Sequence, residues 1–388
     1  MQPIRRFSSN FLAASRGFRR GLPGGLVGMI ALVALVEWAL SARDRDLTAD
    51  ISTTWRWSRM SSTRDAPKAK ILCLGDSLVK FGVAPRIIEQ ETGLRCCNLA
   101  VYEGRPPSSY FLLRRALDAG ARPAAIVVDG DMLYKDPVEY PWLWPELAGP
   151  PEIAQVAWAG RNAEFFANSM TCLLLRSFRA RGEIRKSLVA GFNGTRTETL
   201  LAFEANWRNW TRNQGALIVP SSLHLAEENP RQLEQPFVRT MTWACHPINA
   251  HFNRKLLDLA ASRGIAVFWL IPPKHPKFIE CLDRPAWDGL FAAYLAELMG
   301  RYPNLMVVDG RHSGYDATLI GDLVHLNRRG ACSFSASVGK IIRDRLADRD
   351  KARGWVNLPR FAEVADGSLE DTNQSIGHVK ARWKAARK

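Results

Sequence analysis

Short apolar runs alternate along most of the chain with segments whose apolar positions have helical spacing. Each run is too short for a helix and is bounded by polar residues or glycine, as expected of a strand buried in a parallel sheet. The predicted strands are residues 70–75, 94–100, 124–129, 265–271 and 305–309. The predicted helices between them are residues 85–91, 108–119, 249–262 and 285–299. This alternation predicts an α/β domain over residues 70–348, with a five-stranded parallel sheet and helices on both faces.

A longer apolar segment, residues 21–41, precedes this domain and contains Glu37 as its only charge. Its length is about the twenty residues that a helix needs to cross a bilayer. Arginines precede it, whereas the flank that follows is balanced in charge. The positive-inside rule therefore predicts a single-pass anchor in the cytoplasmic membrane, with residues 1–20 in the cytoplasm and the domain periplasmic or extracellular. A cleaved signal peptide is the alternative, because Leu40-Ser41-Ala42 offers small residues to a peptidase.

Two segments break the alternation of strands and helices. Residues 42–69 are rich in Ser, Thr, Arg and Asp and are predicted to form a linker, with Trp55 and Trp57 either at the membrane interface or packed on the domain. Residues 140–245 are rich in Trp, Asn, Arg and Phe and contain no clean strand pattern. They are predicted to form a mostly helical insertion that acts as a lid or a wall of the substrate site.

Composition and charge narrow the classes of partner. The chain is 47% hydrophobic and 23% charged, which is typical of a folded protein. Its net charge of +15 arises partly at the two ends, including a polar, basic tail at 349–388 that we expect to be loosely held, with one amphipathic segment at 376–387. This charge suits an acidic polymer or an anionic membrane surface. No nucleic-acid-binding module is recognisable, so nucleic acid is not a predicted partner. The seven cysteines include no C-x-x-C pair, so neither bridges nor a metal site is predicted.

Candidate chemistry lies where predicted strands end. Gly75-Asp76-Ser77-Leu78 follows the first strand, and the carboxyl ends of parallel strands are where ligand sites form in open α/β sheets. Far downstream, Asp322 and His325 stand three residues apart just before a helix. A hydroxyl nucleophile needs a base within hydrogen-bond reach, and the base needs an acid that fixes its tautomer. Ser77, His325 and Asp322 are therefore the predicted nucleophile, base and orienting acid.

Other polar residues compete for a role. Asp309 and His312 repeat the spacing of an acid and a base at a strand end, without the residues that follow His325. Lys274 and His275 follow the fourth strand, where they overlook the site, and are candidate substrate contacts or parts of a rigid turn. The remaining candidates are expected to be structural, and the alternative for the three tryptophans is stacking on a sugar: His246, His251, Trp142, Trp144 and Trp243.

The sequence blocks GDSLVKFGVAP at 75–85 and DLVHLNRRG at 322–330 resemble the first and last blocks of the SGNH (GDSL) hydrolase superfamily. The resemblance spans residues 68–135 and 245–347. It implies a flavodoxin-like α/β/α sandwich and cleavage or transfer of acyl esters through an acyl-serine intermediate, without a cofactor. The segment Asn98 to Gly104 is similar to the second block, which implies that the amides of Gly104 and Ser77 form the oxyanion hole.

The third block departs from the family pattern. The family has Gly-x-Asn-Asp after the third strand, and the asparagine side chain completes the oxyanion hole. Here the matching residues are Val128-Asp129-Gly130-Asp131-Met132, and an ionised Asp131 would repel a developing oxyanion. Loss of one donor lowers such a rate by about two to three orders of magnitude.

We therefore expect a membrane-anchored, bacterial-type SGNH esterase that acts outside the cytoplasmic membrane on an acylated glycan or lipid. One alternative is an acyltransferase that delivers the acyl group to a cell-surface polysaccharide, since an acceptor sugar can replace water. A second alternative is a non-catalytic surface or polysaccharide-binding protein with an impaired oxyanion hole.

Overall fold

The computed structural model of the chain describes residues 24–42, 50–129, 140–222, 243–282, 285–348, 354–365 and 368–386. Three predicted features lie wholly or partly outside these ranges, namely the basic segment 1–20, Asp131 of the third block and residues 223–242 of the insertion.

The described residues form a six-stranded parallel sheet in the order β2-β1-β3-β4-β5-β6. The strands are β1 Ile71–Cys73, β2 Cys96–Asn98, β3 Ala125–Asp129, β4 Ala266–Ile271, β5 Leu305–Asp309 and β6 Gly354–Asn357. The first five agree with the predicted strands. The prediction of five strands was wrong in number, because β6 pairs in parallel with β5 at the edge of the sheet.

The helices cover both faces of this sheet and alternate with its strands. They are α1 Gly24–Ala42, α2 Asp50–Arg64, α3 Ser77–Gly82, α4 Pro85–Thr92, α5 Pro106–Asp118, α6 Trp144–Leu147, α7 Pro150–Gly160, α8 Ala163–Leu174, α9 Arg176–Arg179, α10 Arg181–Phe192, α11 Arg196–Arg212, α12 Pro247–Ser262, α13 Pro276–Leu282, α14 Pro285–Arg301, α15 Arg328–Ala347 and α16 Thr372–Ala386.

Two hydrophobic cores lie on opposite faces of the sheet, because successive strand side chains point to opposite sides. The core shared with α2, α5, α12 and α14 contains alternate strand residues, among them Leu72, Ile126, Val267, Trp269 and Val307. The core shared with α3, α4 and α15 contains their neighbours, among them Ile71, Val127, Phe268, Leu270 and Val308. Because the strands are buried on both sides, their sequences are short apolar runs instead of alternating apolar and polar residues.

Residues 50–64, which we expected to belong to a linker, form helix α2 of the folded domain. Trp55 and Trp57 are only 2% and 5% exposed, so both pack against the domain. The indole N–H of Trp55 donates to the carbonyl of Tyr102 at 2.9 Å, and its ring lies 5.6 Å from that of Trp144. The polar composition of this segment misled the sequence interpretation, because the helix buries small polar side chains together with its two tryptophans: Thr53, Thr54, Ser58, Ser61 and Ser62.

The described part of the predicted insertion is helical, as expected, and comprises α6 to α11 without a strand. The C-terminal segment differs from the loosely held tail that we expected. Besides β6 it contains α16, which packs on α11, and the Glu370 carboxylate before α16 binds Arg208 of α11 at 2.6 Å. The tail therefore closes one edge of the sheet and braces the insertion.

Helix α1 is 19 residues long, has a mean hydropathy of 2.0 over its most apolar window, and buries none of that window inside the protein. It is the one described helix that is long and apolar enough to cross a membrane. Its bounds agree with the segment predicted at 21–41.

Candidate active site

The turn after β1 places Ser77 at the carboxyl edge of the sheet. Gly75 has a φ of +139°, a conformation that glycine adopts without strain. The Asp76 carboxylate then caps α3 by accepting the backbone N–H of Leu78 at 2.6 Å. Ser77 is the first residue of α3, so its own N–H has no partner within that helix.

The loop between β5 and α15 supplies the other two predicted residues. A backbone bond from Gly321 N–H to the His325 carbonyl, at 2.7 Å, closes this loop on itself. Asn327 then caps α15, because its side chain accepts the N–H of Gly330 at 3.2 Å. The base and its acid are thus held by local backbone bonds rather than by a flexible loop.

Ser77, His325 and Asp322 form one hydrogen-bonded chain. His325 Nε2 lies 2.8 Å from Ser77 Oγ, and His325 Nδ1 lies 2.7 Å from Asp322 Oδ2. With the proton on Nδ1, the ring donates to Asp322 and accepts the hydroxyl proton of Ser77. The structure therefore brings together the three residues that the sequence places 248 and 3 positions apart.

The environment of Asp322 keeps its carboxylate ionised. Burial by itself would raise its pKa, but the hydrogen bond and charge of His325 act in the opposite direction. The other oxygen, Oδ1, accepts the backbone N–H groups of Val324 and His325, each at 2.8 Å. These interactions outweigh burial and leave the pKa of Asp322 below its usual value.

Phe81 is a further residue of the site that sequence reasoning missed. It follows Ser77 by one helical turn, and its ring meets that of His325 edge-to-face with centroids 5.0 Å apart. The ring limits the rotation of the imidazole and covers one side of it. The spacing of four residues from the nucleophile was the available signal.

Asp129, at the end of β3, is the second residue that was missed. Its carboxylate accepts the backbone N–H of Asp76 at 3.3 Å and lies directly against Gly75. Burial, followed by the nearby charge of Asp76, raises the pKa of Asp129 well above its usual range. Asp129 therefore braces the turn that carries Ser77.

Lys274 and His275 are buried, at 1% and 6% exposure, instead of facing solvent. Burial, and then the charge of Arg311, lowers the pKa of Lys274 to about 7, although Asp76, Asp309 and Asp129 act in the opposite direction. Lys274 is thus near enough to three carboxylates, one after β1 and the others at the ends of β3 and β5, for their charges to act on it. Its direct contact with a substrate, and that of His275, stay predictions.

The acid of the competing pair, Asp309, is bound by its neighbour Arg311. The carboxylate of Asp309 binds the guanidinium of Arg311 at 2.6 Å and accepts the Arg311 backbone N–H at 3.0 Å. The hydrogen bond and charge of Arg311 overcome the effect of burial and lower the pKa of Asp309. Asp309 is thus engaged by Arg311, which also binds Asp288.

Gly104, the predicted oxyanion donor, lies beside the nucleophile turn. A Cβ at this position would stand 2.5 Å from the carbonyl oxygen of Gly75, so only glycine fits. Its N–H, however, donates to the carbonyl of Val101 at 3.0 Å. Gly104 can donate to an oxyanion only if this turn shifts, and its role stays a prediction.

The remaining candidates have structural surroundings. His246 caps α12 by accepting the N–H of Ile248 at 3.3 Å, and the ring of His251 packs on Phe252. Trp144 and Trp243 belong to the hydrophobic core, whereas Trp142 is partly exposed. Over the described ranges, no group of three or more His, Cys, Asp or Glu side chains could hold a metal ion.

No protein-family model matches the chain, and no curated protein matches it. The assignment to the SGNH superfamily stays a prediction from the sequence blocks at 75–85 and 322–330.

Proposed function

We propose that this protein is a serine-dependent acyl-ester hydrolase of the SGNH type. The observation that carries the proposal is the unbroken chain of hydrogen bonds from Ser77 through His325 to Asp322. The order of the first five strands, 2-1-3-4-5, is the flavodoxin-like order that such a protein is expected to have, and it supports the same proposal.

The geometry is suited to acyl transfer through the serine. Ser77 Oγ attacks the ester carbonyl while His325 Nε2 takes the hydroxyl proton, and Asp322 stabilises the imidazolium that forms. The tetrahedral intermediate collapses, the C–O bond to the leaving alcohol breaks, and His325 returns the proton to that alkoxide. Water, deprotonated by His325, then attacks the acyl-serine and releases the acid and the free serine.

The developing oxyanion needs donors that point to it. The N–H of Ser77, at the start of α3, is in position to be one, and the N–H of Gly104 would be a second after its turn shifts. The third block has no asparagine, and Asp131 lies outside the described residues. We expect slower turnover than in family members with three donors.

We further propose that α1 anchors the domain in the cytoplasmic membrane, with the domain on the outer side. The length and hydropathy of α1 support the span, and the charge difference between its flanks supports the orientation. An ester substrate at this location would be an acylated glycan or lipid.

Labelling of the full chain with a fluorophosphonate tests the proposal. Ser77 Oγ would displace fluoride from phosphorus and form a phosphonyl-serine, so we expect labelling that Ser77→Ala abolishes. A folded protein that does not label would contradict the triad, and labelling that survives in Ser77→Ala would assign the chemistry to another serine. Analysis of products with and without an acceptor glycan then separates hydrolysis from acyl transfer.

A second candidate function is non-catalytic binding of an acylated polysaccharide. The bond from the Gly104 N–H to Val101 favours it, because it occupies a donor that an efficient esterase needs. Under this hypothesis the folded chain binds the polymer equally well with Ser77→Ala and does not label. Binding isotherms of the two variants distinguish the two functions.

A further inference from the structure

Glu37 is the only charged residue of α1, and its carboxylate binds the start of helix α9. It accepts the backbone N–H of Arg176 at 2.6 Å and that of Ser177 at 3.1 Å, as well as the hydroxyl of Ser177. These bonds satisfy the donors that a helix leaves unpaired at its start. They also join the insertion to the helix that we propose to span the membrane.

The position of Glu37 fixes the depth of this junction. At about 1.5 Å per residue, α1 is about 29 Å long, close to the thickness of the hydrocarbon core, which is about 30 Å. Glu37 precedes the last residue of α1, Ala42, by about 7.5 Å along the axis. A carboxylate at that depth is costly unless it is paired, and its partners on α9 must therefore reach the boundary between headgroups and acyl chains.

The segment at the junction exposes an unusual number of large apolar side chains. We define residues 174–192 as the interfacial surface. Leu174 is 72% exposed and Phe192 is 89% exposed. The other exposed apolar residues of this surface are Leu175, Phe178, Leu188 and Val189. Contiguous exposed apolar side chains of this kind mark contact with a membrane or another protein.

The charge of the interfacial surface selects between these partners. It contains five basic residues and one acidic residue, Glu183, which pairs with Lys186 at 3.1 Å, while Arg179 binds Glu146 outside this surface at 3.5 Å. Arg181 lies over the ring of Phe178 at 4.9 Å, and Arg185 is exposed on the same helix. Apolar side chains interleaved with arginine and lysine are the composition of helices that lie in the interface of an anionic bilayer.

A groove of about 450 Å³ follows one face of α10 and ends at Ser177, next to the Glu37 junction. Its lining repeats at helical spacing, which makes a continuous stripe: Arg181, Ile184, Arg185, Leu188, Val189 and Phe192. We propose that the interfacial surface rests in the headgroup and upper acyl region of the bilayer that α1 spans, where it binds anionic phospholipid. This proposal rests on the membrane span and is independent of the chemistry at Ser77.

The test uses the full chain at one copy per nanodisc, with a phospholipid that carries a photoactivatable diazirine in its acyl chain. Discs contain phosphatidylcholine alone or with phosphatidylglycerol, and mass spectrometry locates the crosslinked peptides. We expect crosslinks in residues 24–42 and in residues 174–192. The yield of crosslinks in residues 174–192 should rise at least about threefold when the anionic lipid is present.

Three variants separate the contributions, and all of them change exposed or polar side chains. Leu188→Ser with Val189→Ser should lower crosslinking of 174–192, and Arg181→Gln with Arg185→Gln should remove its dependence on anionic lipid. Glu37→Gln should lower crosslinking of residues 174–192 because it weakens the junction, while residues 24–42 should crosslink as before. Leu290→Ser, at an exposed apolar residue of α14, is the control that should change nothing.

The membrane span and the interfacial surface predict different patterns of crosslinks. Crosslinks in 24–42 without crosslinks in 174–192 would overturn this proposal and leave the membrane span intact. Absence of both would overturn the span as well. If a protein crosslinker joins residues 174–192 of the two copies in discs that carry two, and these residues give no lipid crosslinks, then the interfacial surface is a contact between copies of this chain and the proposal is wrong. None of these results alters the labelling experiment at Ser77.

Discussion

The carboxylate of Asp129 lies so close to Gly75 that a Cβ on Gly75 would overlap it. The same carboxylate accepts the N–H of Asp76, the residue before the nucleophile. The end of β3 therefore fixes the turn at the end of β1, and the position of Ser77 depends on a strand that is distant in sequence.

This relationship predicts that Gly75→Ala displaces Ser77. Alanine at Gly75 meets both the strain of a positive φ and the overlap with Asp129, so we expect destabilisation by more than about 1 kcal/mol. Fluorophosphonate labelling of the fraction that remains folded should fall at least about tenfold, because small displacements of reacting groups cost that much.

Gly93→Ala is the matched control for this variant. Gly93 also has a positive φ, +68°, but a Cβ there would meet nothing within 4 Å. It should therefore show the strain alone, with a smaller loss of stability than Gly75→Ala and normal labelling. Equal labelling of the two variants would refute the claim that Asp129 positions the nucleophile turn.

The acid of the triad gives a second prediction. Asp322→Asn preserves the shape of the side chain but removes the charge that stabilises the imidazolium and selects the tautomer with the proton on Nδ1. Labelling and ester turnover should both fall by about 10³- to 10⁴-fold. His312→Ala is the control, since the competing acid Asp309 is bound to Arg311. A large loss in His312→Ala with little loss in Asp322→Asn would reverse the assignment.

A third prediction concerns helix α2, which the sequence interpretation placed in a linker. Because Trp55 is buried and bonded to Tyr102, Trp55→Ala should cost about 3–5 kcal/mol of stability. Trp158→Ala, at a residue that is 88% exposed, should change stability by less than about 0.5 kcal/mol. Denaturant unfolding of the two variants measures both values, and equal small losses would restore the linker hypothesis.

The strands and the triad could be predicted because both leave local signals. Each of the first five strands is a short apolar run, and Ser77, Asp322 and His325 lie in blocks of recognisable spacing. Edge strand β6, in contrast, buries its side chains only in part, so its sequence GWVN carries no such pattern.

The missed residues depend on contacts between distant parts of the chain. Asp129 braces a turn that lies more than 50 residues earlier, and the carboxylates whose charges act on Lys274 come from the ends of three different strands. Neither relationship produces a periodicity or a spacing. A polar segment such as α2 is likewise identified as structural only when the surface that it covers is known.

The buried lysines give the last prediction, which concerns pH. Lys80, one turn after Ser77, is fully buried, and its ammonium donates to the carbonyl of Gly215 at 2.8 Å. Burial lowers its pKa to about 7, although nearby Cys97 and Cys73 act in the opposite direction. In the unfolded chain the pKa of lysine is about 10.4.

Above pH 7, therefore, the unfolded chain binds a proton at Lys80 that the folded chain has released. The free energy of unfolding then rises with pH, by at most about 1.4 kcal/mol per pH unit for each such lysine. This gain in the free energy of unfolding shrinks as the pH falls and is lost at about pH 7. Burial raises the pKa of the Cys97 thiol to about 12, which has the opposite effect above about pH 8.5. The useful window is thus pH 7 to about 8.5.

Lys80→Met keeps the length of the side chain and removes its titration, so the rise in stability across this window should be smaller than in the parent chain. Thermal unfolding of the full chain in detergent, measured at several pH values, gives the two slopes. Lys384→Met, at an exposed lysine of α16, should keep the slope of the parent. The lost bond to Gly215 shifts the stability of Lys80→Met at every pH, so only the slope is diagnostic. A slope unchanged in Lys80→Met would show that Lys80 stays protonated in the folded state.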